Sequence, residues 1–337
     1  MIQRRPIYSV LLAIFVILLT GWFFTGDNGA LSSALDGPAL LAGNDTLGFQ
    51  KILVLSDRPT WRTRGLQAAA NLTNLDITIP PKPPVDDRLA KSFMEIDQDN
   101  GYNHPAFGAS KAWLSHLDIV KYVYQSNMET ALILEDDADW DIAIRDQMQN
   151  LSTAVRQLIK PPENDSTPYT RDWDVLWIGH CGAVWSDDRD TVGYNDTNIP
   201  PRDHYKSYRA DDIKDLPEEE RIVFRSAGPI CTFAYAVTHE GAGKILAGMG
   251  AGQGEAFDVE MSWECDRGHL RCLAVVPELV NEYSPPAEYN VKSFVAVGNG
   301  ADAGSKEQEF ESHKGGSNNI VHSSRCQALW QEDCRWN

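Results

Sequence analysis

The sequence predicts an α/β fold with a mostly parallel, Rossmann-like sheet, because short apolar runs alternate with segments of helical character. The run 51–56 suits a buried strand, and the segment 62–70 after it has helix-forming composition. In the segment 109–125, Trp113 and Leu117 recur at helical spacing. Further strands are predicted at 75–79, 131–134, 173–178, 231–238 and 273–277, and a further short helix at 241–249.

The N-terminal segment predicts a membrane anchor. Arg4 and Arg5 precede the apolar run 7–24, which as a helix is about 27 Å long and crosses a thin bilayer. No basic residue follows until Lys51, so residues 1–6 are expected in the cytosol and the rest of the chain in the lumen. The alternative is a cleaved signal peptide, which the length of the run and the absence of a small-x-small cleavage site disfavour.

Two further segments have a distinct composition. The stretch 25–49 is rich in Gly, Ala, Ser, Asp and Leu without a sustained period, which predicts a stem. Residues 50–337 are expected to form a single lumenal domain. Within it, the segment at about 297–319 has little apolar content and predicts a flexible loop.

Sequons and cysteines agree with a lumenal domain. Six cysteines lie beyond the anchor, and a secretory compartment permits disulfides. The expected local pairings are Cys265 with Cys272 and Cys326 with Cys334. N-glycosylation is predicted at Asn44, Asn71, Asn150, Asn164 and Asn195, each of which starts an N-x-[ST] motif.

The charge balance excludes one class of partner. The chain has 48 acidic and 30 basic residues and a net charge of -18. Such a surface repels phosphate backbones and offers no basic stripe, so nucleic acid is not an expected partner.

An acidic run, 135–139 (EDDAD), directly follows the apolar strand 131–134. Carboxylates at such a strand end lie at the edge of the sheet where α/β folds bind ligands. Glu135 and Asp137 point to the same side of an extended segment, as does Asp139 if the extension continues. Their oxygens suit Mg²⁺ or Mn²⁺, which would neutralise a diphosphate leaving group. The alternative is an acidic turn that faces solvent.

A second acidic group contains Asp258 and Glu260, between Phe257 and Trp263. An inverting transfer needs one carboxylate to accept the proton of the acceptor hydroxyl, and aromatic rings stack on sugar faces. Asp258 or Glu260 is therefore a candidate base. The alternative is the start of an amphipathic helix with solvated acids.

Three histidines are candidate ligands. His180 and His322 could complete a metal shell or bind a phosphate, because neutral imidazole is a common ligand. His116, at the polar start of a helix, could contact the donor. For each of them the alternative is a structural role.

These motifs together resemble glycosyltransferase family 25, the lipooligosaccharide and collagen galactosyltransferases, and its fungal branch in particular. The similar segments occur in the same order as in the family and extend over most of the predicted domain. The most specific part of the resemblance is the LEDD run together with the LSH tripeptide upstream of it. They are 51–58 (KILVLSDR), 108–117 (GASKAWLSHL), 130–141 (TALILEDDADWD), 173–182 (WDVLWIGHCG), 231–238 (CTFAYAVT) and 256–260 (AFDVE).

The resemblance implies a GT-A-like fold and a metal-dependent, inverting transfer of a hexose, commonly galactose, from a UDP-sugar. By position, the family's second acidic motif falls on Asp258. The side chains expected to contact the donor are Arg58, Ser115, His116, Glu135 and Asp136. Those expected to hold Mn²⁺ or Mg²⁺ are Glu135, Asp137 and His322, with His180 and Asp139 as possible additions.

We therefore expect a single-pass type II glycosyltransferase of the Golgi or ER membrane that acts on a glycan or glycoprotein hydroxyl. Two alternatives stay open. One is a degenerate transferase fold that binds carbohydrate or acts as a scaffold. The other is a secreted glycosidase that uses Glu135 and Asp258 as an acid and base pair.

Overall fold

The computed structural model describes most of the chain from Gly37 onward. The predicted tail 1–6, the predicted anchor 7–24 and the centre of the predicted flexible loop 297–319 lie outside the described residues. In the part that is described, no helix is both long and apolar enough to cross a membrane. The described residues are 37–82, 84–96, 103–184, 190–214, 216–286, 289, 291–301 and 313–334.

Helices flank the sheet along the described chain. Several begin at a side-chain cap, as α2 does at Thr60, whose hydroxyl accepts the N–H of Arg62. The helices are α1 (Gly37–Leu40), α2 (Trp61–Thr73), α3 (Asp87–Met94), α4 (Phe107–Gln125), α5 (Ile144–Ile159), α6 (His239–Met249), α7 (Phe257–Asp266), α8 (Phe294–Gly298) and α9 (Ser324–Trp330).

The strands form an eight-stranded sheet and a three-stranded one. The large sheet has the order β2-β1-β3-β8-β5-β9-β7-β6, and β11-β10-β4 make the small one. The strands are β1 (Lys51–Leu55), β2 (Ile77–Thr78), β3 (Thr130–Glu135), β4 (Ala138–Trp140), β5 (Val175–Gly179), β6 (Thr191–Asn195), β7 (Glu220–Arg225), β8 (Ala234–Thr238), β9 (Cys272–Val276), β10 (Val280–Ser284) and β11 (Gly316–Ser317).

The large sheet is mostly parallel, as predicted. β1 pairs in parallel with β2 and β3, and β5 with β9. β8 runs antiparallel between β3 and β5, and β7 runs antiparallel between β9 and β6. The other six strands therefore share one direction, and the prediction of an α/β fold compatible with a Rossmann-like sheet is confirmed.

Helices cover both faces of the large sheet. Along β1, Ile52 and Val54 join the core cluster that also contains residues of α2 and α5, whereas Leu53 joins the cluster formed with α4, α6 and α7. The strands β5, β8 and β9 are buried along their whole length. Burial on both faces explains why these strands read as continuous apolar runs in the sequence.

The structure describes residues 37–49 of the predicted stem, whereas residues 25–36 lie outside the described part of the chain. Leu47 and Phe49 are buried in the core. The Asn44 side chain closes this turn, since its Oδ1 accepts the N–H groups of Thr46 and Gly48, each at 2.9 Å. A turn held by local hydrogen bonds has no period, so its composition resembled that of a linker.

Three disulfides crosslink the described chain. The predicted pairings Cys265–Cys272 and Cys326–Cys334 are confirmed, and the third bond joins Cys181 to Cys231. The cysteines of the third pair are 50 residues apart, so local spacing does not predict their bond, and it follows only once the other four cysteines are paired.

The C-terminal part of the chain packs behind the turn that follows β3. Asp139 in β4 is fully buried and accepts hydrogen bonds from the hydroxyls of Ser317 (2.6 Å), Ser323 and Ser324 (3.0 Å). The backbone N–H of Arg325 donates to the same carboxylate at 3.1 Å. Asp139 therefore joins β4 to the start of α9.

The guanidinium of Arg325 continues this connection. It donates to the carbonyl oxygens of Asp136 (2.6 Å), Ala138 (2.9 Å) and Arg62 (2.9 Å). Because all three acceptors are backbone atoms, the path of the acidic turn is fixed independently of its side chains.

Replacing Asp139 with alanine removes the acceptor of three buried hydroxyls and of two backbone N–H groups, those of Trp140 and Arg325. We expect the free energy of unfolding of the full-length chain to fall by about 3 kcal/mol, because these donors lose a charged partner. Urea unfolding followed by tryptophan fluorescence measures the loss. Asp76→Ala, which removes an exposed pair with Lys51, is the control and should change stability by less than about 1 kcal/mol. Equal losses in both variants would contradict the assignment.

Candidate active site

A cavity of about 360 Å³ lies at the carboxyl ends of the parallel strands β1 and β3. Its walls come from the loop after β1, the helix α4, the turn after β3 and the helix α8. Larger depressions of about 840 and 530 Å³ occur elsewhere on the described surface. Neither contains a residue predicted to bind donor or metal or to act as base, so the smaller cavity is the candidate site.

The cavity gathers side chains that are distant in the sequence. They come from three of the predicted motifs and include every residue predicted to contact the donor. They are Arg58, Ser115, His116, Glu135, Asp136 and Asp137.

Glu135, the last residue of β3, is held by two neighbours. The hydroxyl of Thr232 donates to Glu135 Oε1 at 2.6 Å, and His116 Nε2 lies 3.6 Å from the same oxygen. Burial acts to raise the pKa of Glu135, but the hydrogen bond and charge of His116, helped by Thr232 and Arg62, outweigh it and lower the pKa. Glu135 is therefore ionised at neutral pH.

Asp136 and Asp137 form the turn after β3 and share one cation. Arg62 Nη1 pairs with Asp137 Oδ2 and lies 3.9 Å from Asp136 Oδ1, while the Ser56 hydroxyl donates to Asp136 at 2.7 Å. Burial and the neighbouring charge of Asp137 raise the pKa of Asp136 to about 6. Burial likewise raises the pKa of Asp137, against the charge of Arg62. The charge of Arg325 likewise acts to lower the pKa of both aspartates, so two guanidinium groups offset the carboxylates of the turn.

His116 connects the cavity to the core. It stacks on Phe257 with 4.6 Å between ring centroids, and its Nδ1 lies 3.0 Å from the Tyr235 hydroxyl. Its Nε2 lies 3.3 Å from the Thr232 hydroxyl. These contacts fix the imidazole beside Glu135, where it orients that carboxylate.

Basic side chains also line the cavity. Arg58 and Lys111 border it, and Arg58 lies over the Phe294 ring at 5.6 Å. Lys82, from the loop before α3, donates to the lining residue Ser115 at 3.0 Å and pairs with Asp57. The helices α2 and α4 begin at the cavity and add positive potential, while the N–H groups of Gly108 and Ala109 donate to the Asn299 side chain. These basic groups suit an anion.

Sequence reasoning missed a fourth carboxylate, Glu282. It lies in β10 opposite Ala138, and the neighbouring N–H of Tyr283 donates to the Asp137 carbonyl at 2.8 Å. Burial and the charges of Asp137 and Glu135 raise the pKa of Glu282 to about 7. Only the pairing of β4 with β10, which are about 140 residues apart in sequence, brings it here, and no local pattern signals that.

Arg62 was also missed, although its position carried a signal. It lies in the first turn of α2, where the helix dipole disfavours a cation. A basic residue at such a position indicates a nearby anion, which here is Asp137.

Asp258 lies near the cavity without lining it. Its Oδ2 accepts the backbone N–H of Cys231 at 2.8 Å, and Cys231 precedes the Thr232 that binds Glu135. Its neighbour Phe257 packs on His116. Asp258 is partly exposed and is therefore accessible to a second substrate.

Glu260 has a different environment. It is 5% exposed and pairs with Arg267 at 3.1 Å. Burial raises its pKa, and Arg267 opposes that rise. Of the two candidate bases, Asp258 is the accessible one.

The remaining candidate ligands do not line the cavity. His180 is fully buried, with Nε2 2.9 Å from the Val275 carbonyl and the Gly182 N–H donating to Nδ1, and burial lowers its pKa. His322 contacts Asp333 at 3.2 Å. Asp139 points to Ser323 and Ser324, on the other side of the turn. These contacts support structural roles for all three.

The side chains around Asp137 fit a divalent cation that keeps few protein ligands. Among the residues that the structure describes, no group of three His, Cys, Asp or Glu side chains is arranged to hold a metal by itself. Asp137 Oδ1 is nevertheless buried without a hydrogen-bond partner, and Glu135 and Asp136 line the same cavity. Such oxygens suit Mg²⁺ or Mn²⁺ that keeps few protein ligands and completes its shell with phosphate and water.

Four of the predicted glycosylation sites, Asn44, Asn71, Asn164 and Asn195, are exposed, and Asn150 is partly buried. None of the five lines the candidate cavity. Glycans at the exposed positions would therefore leave the cavity accessible.

Comparison with known proteins identified no match, either to a protein-family model or to a curated protein. Function is therefore inferred from the cavity and its side chains.

The variant Glu282→Gln tests the electrostatics of the site through thermal unfolding. A carboxyl with a raised folded-state pKa stabilises the fold at low pH, and this contribution is lost as the pH rises through about 7. We expect the variant to raise the melting temperature at pH 8 and to have little effect at pH 5, where Glu282 is already protonated in the folded state. Glu163→Gln, at an exposed position, should have no effect at either pH. The same shift at both pH values would contradict the raised pKa.

Proposed function

We propose that this chain is a glycosyltransferase that moves a hexose from a UDP-sugar to the hydroxyl of a glycan or glycoprotein with the help of Mn²⁺ or Mg²⁺. One observation carries the proposal. Carboxylates and basic groups, predicted from separate motifs as the donor site, line one cavity at the carboxyl edge of a mostly parallel sheet.

The cavity is lined by groups of both charges, as a nucleotide-sugar and its metal require. Arg58 and Lys111 suit the oxygens of a diphosphate, and the positive ends of the α2 and α4 dipoles add to their potential. The carboxylates Glu135, Asp136 and Asp137 suit the cation that accompanies it. The volume of about 360 Å³ falls within the range of small-molecule sites.

The cation would be held by Asp137 together with Asp136 or Glu135, and it would neutralise charge on the leaving diphosphate. The chain's own residues prepare this site. Thr232 and His116 orient Glu135, Ser56 orients Asp136, and Arg325 fixes the backbone of the turn. Such preorganisation lets charged groups act without reorganising during the reaction.

Asp258 is the proposed base. In a direct displacement, the acceptor oxygen attacks the anomeric carbon, its proton passes to a carboxylate, and the configuration inverts. The hydrogen bond from Cys231 uses one oxygen of Asp258 and leaves the other available. The Cys181–Cys231 disulfide restrains the segment that holds this carboxylate.

The finer assignments belong to the same proposal. They are a GT-A-like fold, membership of glycosyltransferase family 25, galactose as the transferred hexose, and a type II anchor in the Golgi or ER membrane. The motif order supports the family, and the three disulfides are compatible with a lumenal domain.

A second candidate is a carbohydrate-binding protein with a degenerate transferase fold. The pairing of Arg62 with Asp137 favours it, because an arginine that permanently neutralised this carboxylate would exclude the cation. The two candidates differ in whether the chain binds UDP in a metal-dependent way.

Calorimetric titration with UDP, with and without Mn²⁺, tests the proposal on the full-length chain. We expect UDP to bind at least about tenfold more tightly with Mn²⁺, and Asp137→Ala to abolish this gain because it removes the central carboxylate. Asp165→Ala, remote from the cavity, is the control and should behave as the wild type. Absence of UDP binding under every condition would favour the carbohydrate-binding protein.

Asp258→Asn tests the base. Asparagine still accepts the Cys231 N–H but takes up no proton, so turnover should fall at least about 100-fold while UDP affinity is unchanged. Release of UDP from UDP-galactose, with water as the acceptor, measures turnover. Glu260→Gln should have a much smaller effect, and the reverse order of the two variants would assign the role of base to Glu260.

A further inference from the structure

Arg62 occupies the centre of the candidate site. It lies in the first turn of α2, where its charge opposes the helix dipole, and it is only 6% exposed. Its backbone is fixed at both ends, since its N–H donates to the Thr60 hydroxyl at 3.2 Å and its carbonyl accepts from Arg325 at 2.9 Å. These backbone contacts leave the position of the guanidinium to the side-chain dihedral angles of Arg62.

The guanidinium of Arg62 fills the position that a cation would take beside the carboxylates. It pairs with Asp137 and lies 3.9 Å from Asp136. Without a neutralising charge, such a buried carboxylate cluster would be costly. Arg62 is therefore the counter-ion of the turn.

Two aromatic rings flank the guanidinium of Arg62 in the position where it pairs with Asp137. It lies 4.5 Å from the centroid of Phe294 and 5.3 Å from that of Trp61. Both Arg62 and Phe294 line the cavity, so a diphosphate there would be within reach of the same guanidinium. Arginine binds phosphate oxygens in a planar, two-pronged geometry while its face rests on a ring.

We propose that Arg62 is an internal counter-ion that occupies Asp137 until a nucleotide diphosphate draws its guanidinium away, so that a divalent cation binds together with the nucleotide and not before it. This inference rests on the proposed function, and it adds an order to the binding of metal and donor. It also reconciles the predicted metal site with the lack of a preformed metal cluster among the described side chains.

The test measures Mn²⁺ binding to the full-length chain by calorimetry without any nucleotide. We expect the wild type to bind Mn²⁺ weakly and Arg62→Met to bind it at least about tenfold more tightly, because Asp137 is released. Arg58→Met is the matched control. It removes a positive charge from the same cavity without breaking a contact to Asp137, so it should gain clearly less affinity.

Two further variants keep the test decisive. Arg62→Met combined with Asp137→Asn should return Mn²⁺ affinity to the wild-type level, which assigns the gain to Asp137. Should Arg62→Met fail to fold, Arg62→Lys replaces it, and its looser hold on the carboxylate should still raise the affinity. Wild-type Mn²⁺ affinity in every folded Arg62 variant, or tight Mn²⁺ binding by the wild type without UDP, would overturn the inference.

Repeating the Mn²⁺ titration in the presence of UDP separates this inference from the proposed function. UDP should tighten Mn²⁺ binding to the wild type at least about tenfold and to Arg62→Met much less, since that carboxylate is already released. If UDP binds to neither protein, the proposed function fails. The comparison without nucleotide still decides whether Arg62 is the counter-ion.

Discussion

The buried carboxylate Asp139 determines where the acidic turn lies. Ser323, Ser324 and the Arg325 N–H surround it, and the Arg325 guanidinium binds the carbonyls of the turn itself. Because these donors belong to the segment around the start of α9, the side chains that face the cavity depend on a part of the chain that never enters it. The Asp139 carboxylate resists displacement, because any other position of its side chain leaves several buried donors without an acceptor.

The candidate site concentrates several carboxylates next to this support. Glu135, Asp136, Asp137 and Glu282 influence one another's ionisation, and the charges of Arg62 and Arg325 offset them in part. Carboxylates at low exposure lower the cost of bringing a further cation to the cavity. Arg58 and Lys111, which line the same cavity, provide the opposite charge. A ligand that carries both a cation and a diphosphate matches this combination.

The sequence predicted the strands and the acidic turn because these depend on local patterns, namely buried apolar runs and carboxylates at a strand end. It failed where contacts are distant or where a local rule was extended too far. Spacing by two residues placed Asp139 with Glu135 and Asp137, but β3 ends at Glu135 and β4 begins at Ala138, so the alternation is interrupted by the turn. The position of Glu282 beside the acidic turn follows from the pairing of β4 with β10, which local sequence does not reveal. The burial of Leu47 and Phe49 depends on a linker-like turn that packs on the core.

The distance along the chain between Asp139 and its partners has a consequence for biosynthesis. These hydrogen bonds join residues 178 to 186 positions apart, so the turn cannot reach its final form until residue 325 has been translated. A polypeptide that emerges N-terminal end first can assemble β1, β3 and their helices before α9 has been synthesised. Until then, Asp139 lacks its hydrogen-bond donors. Completion of the cavity is thus coupled to the synthesis of α9, and a nascent chain that terminated before α9 would carry the acidic residues without the support that aligns them.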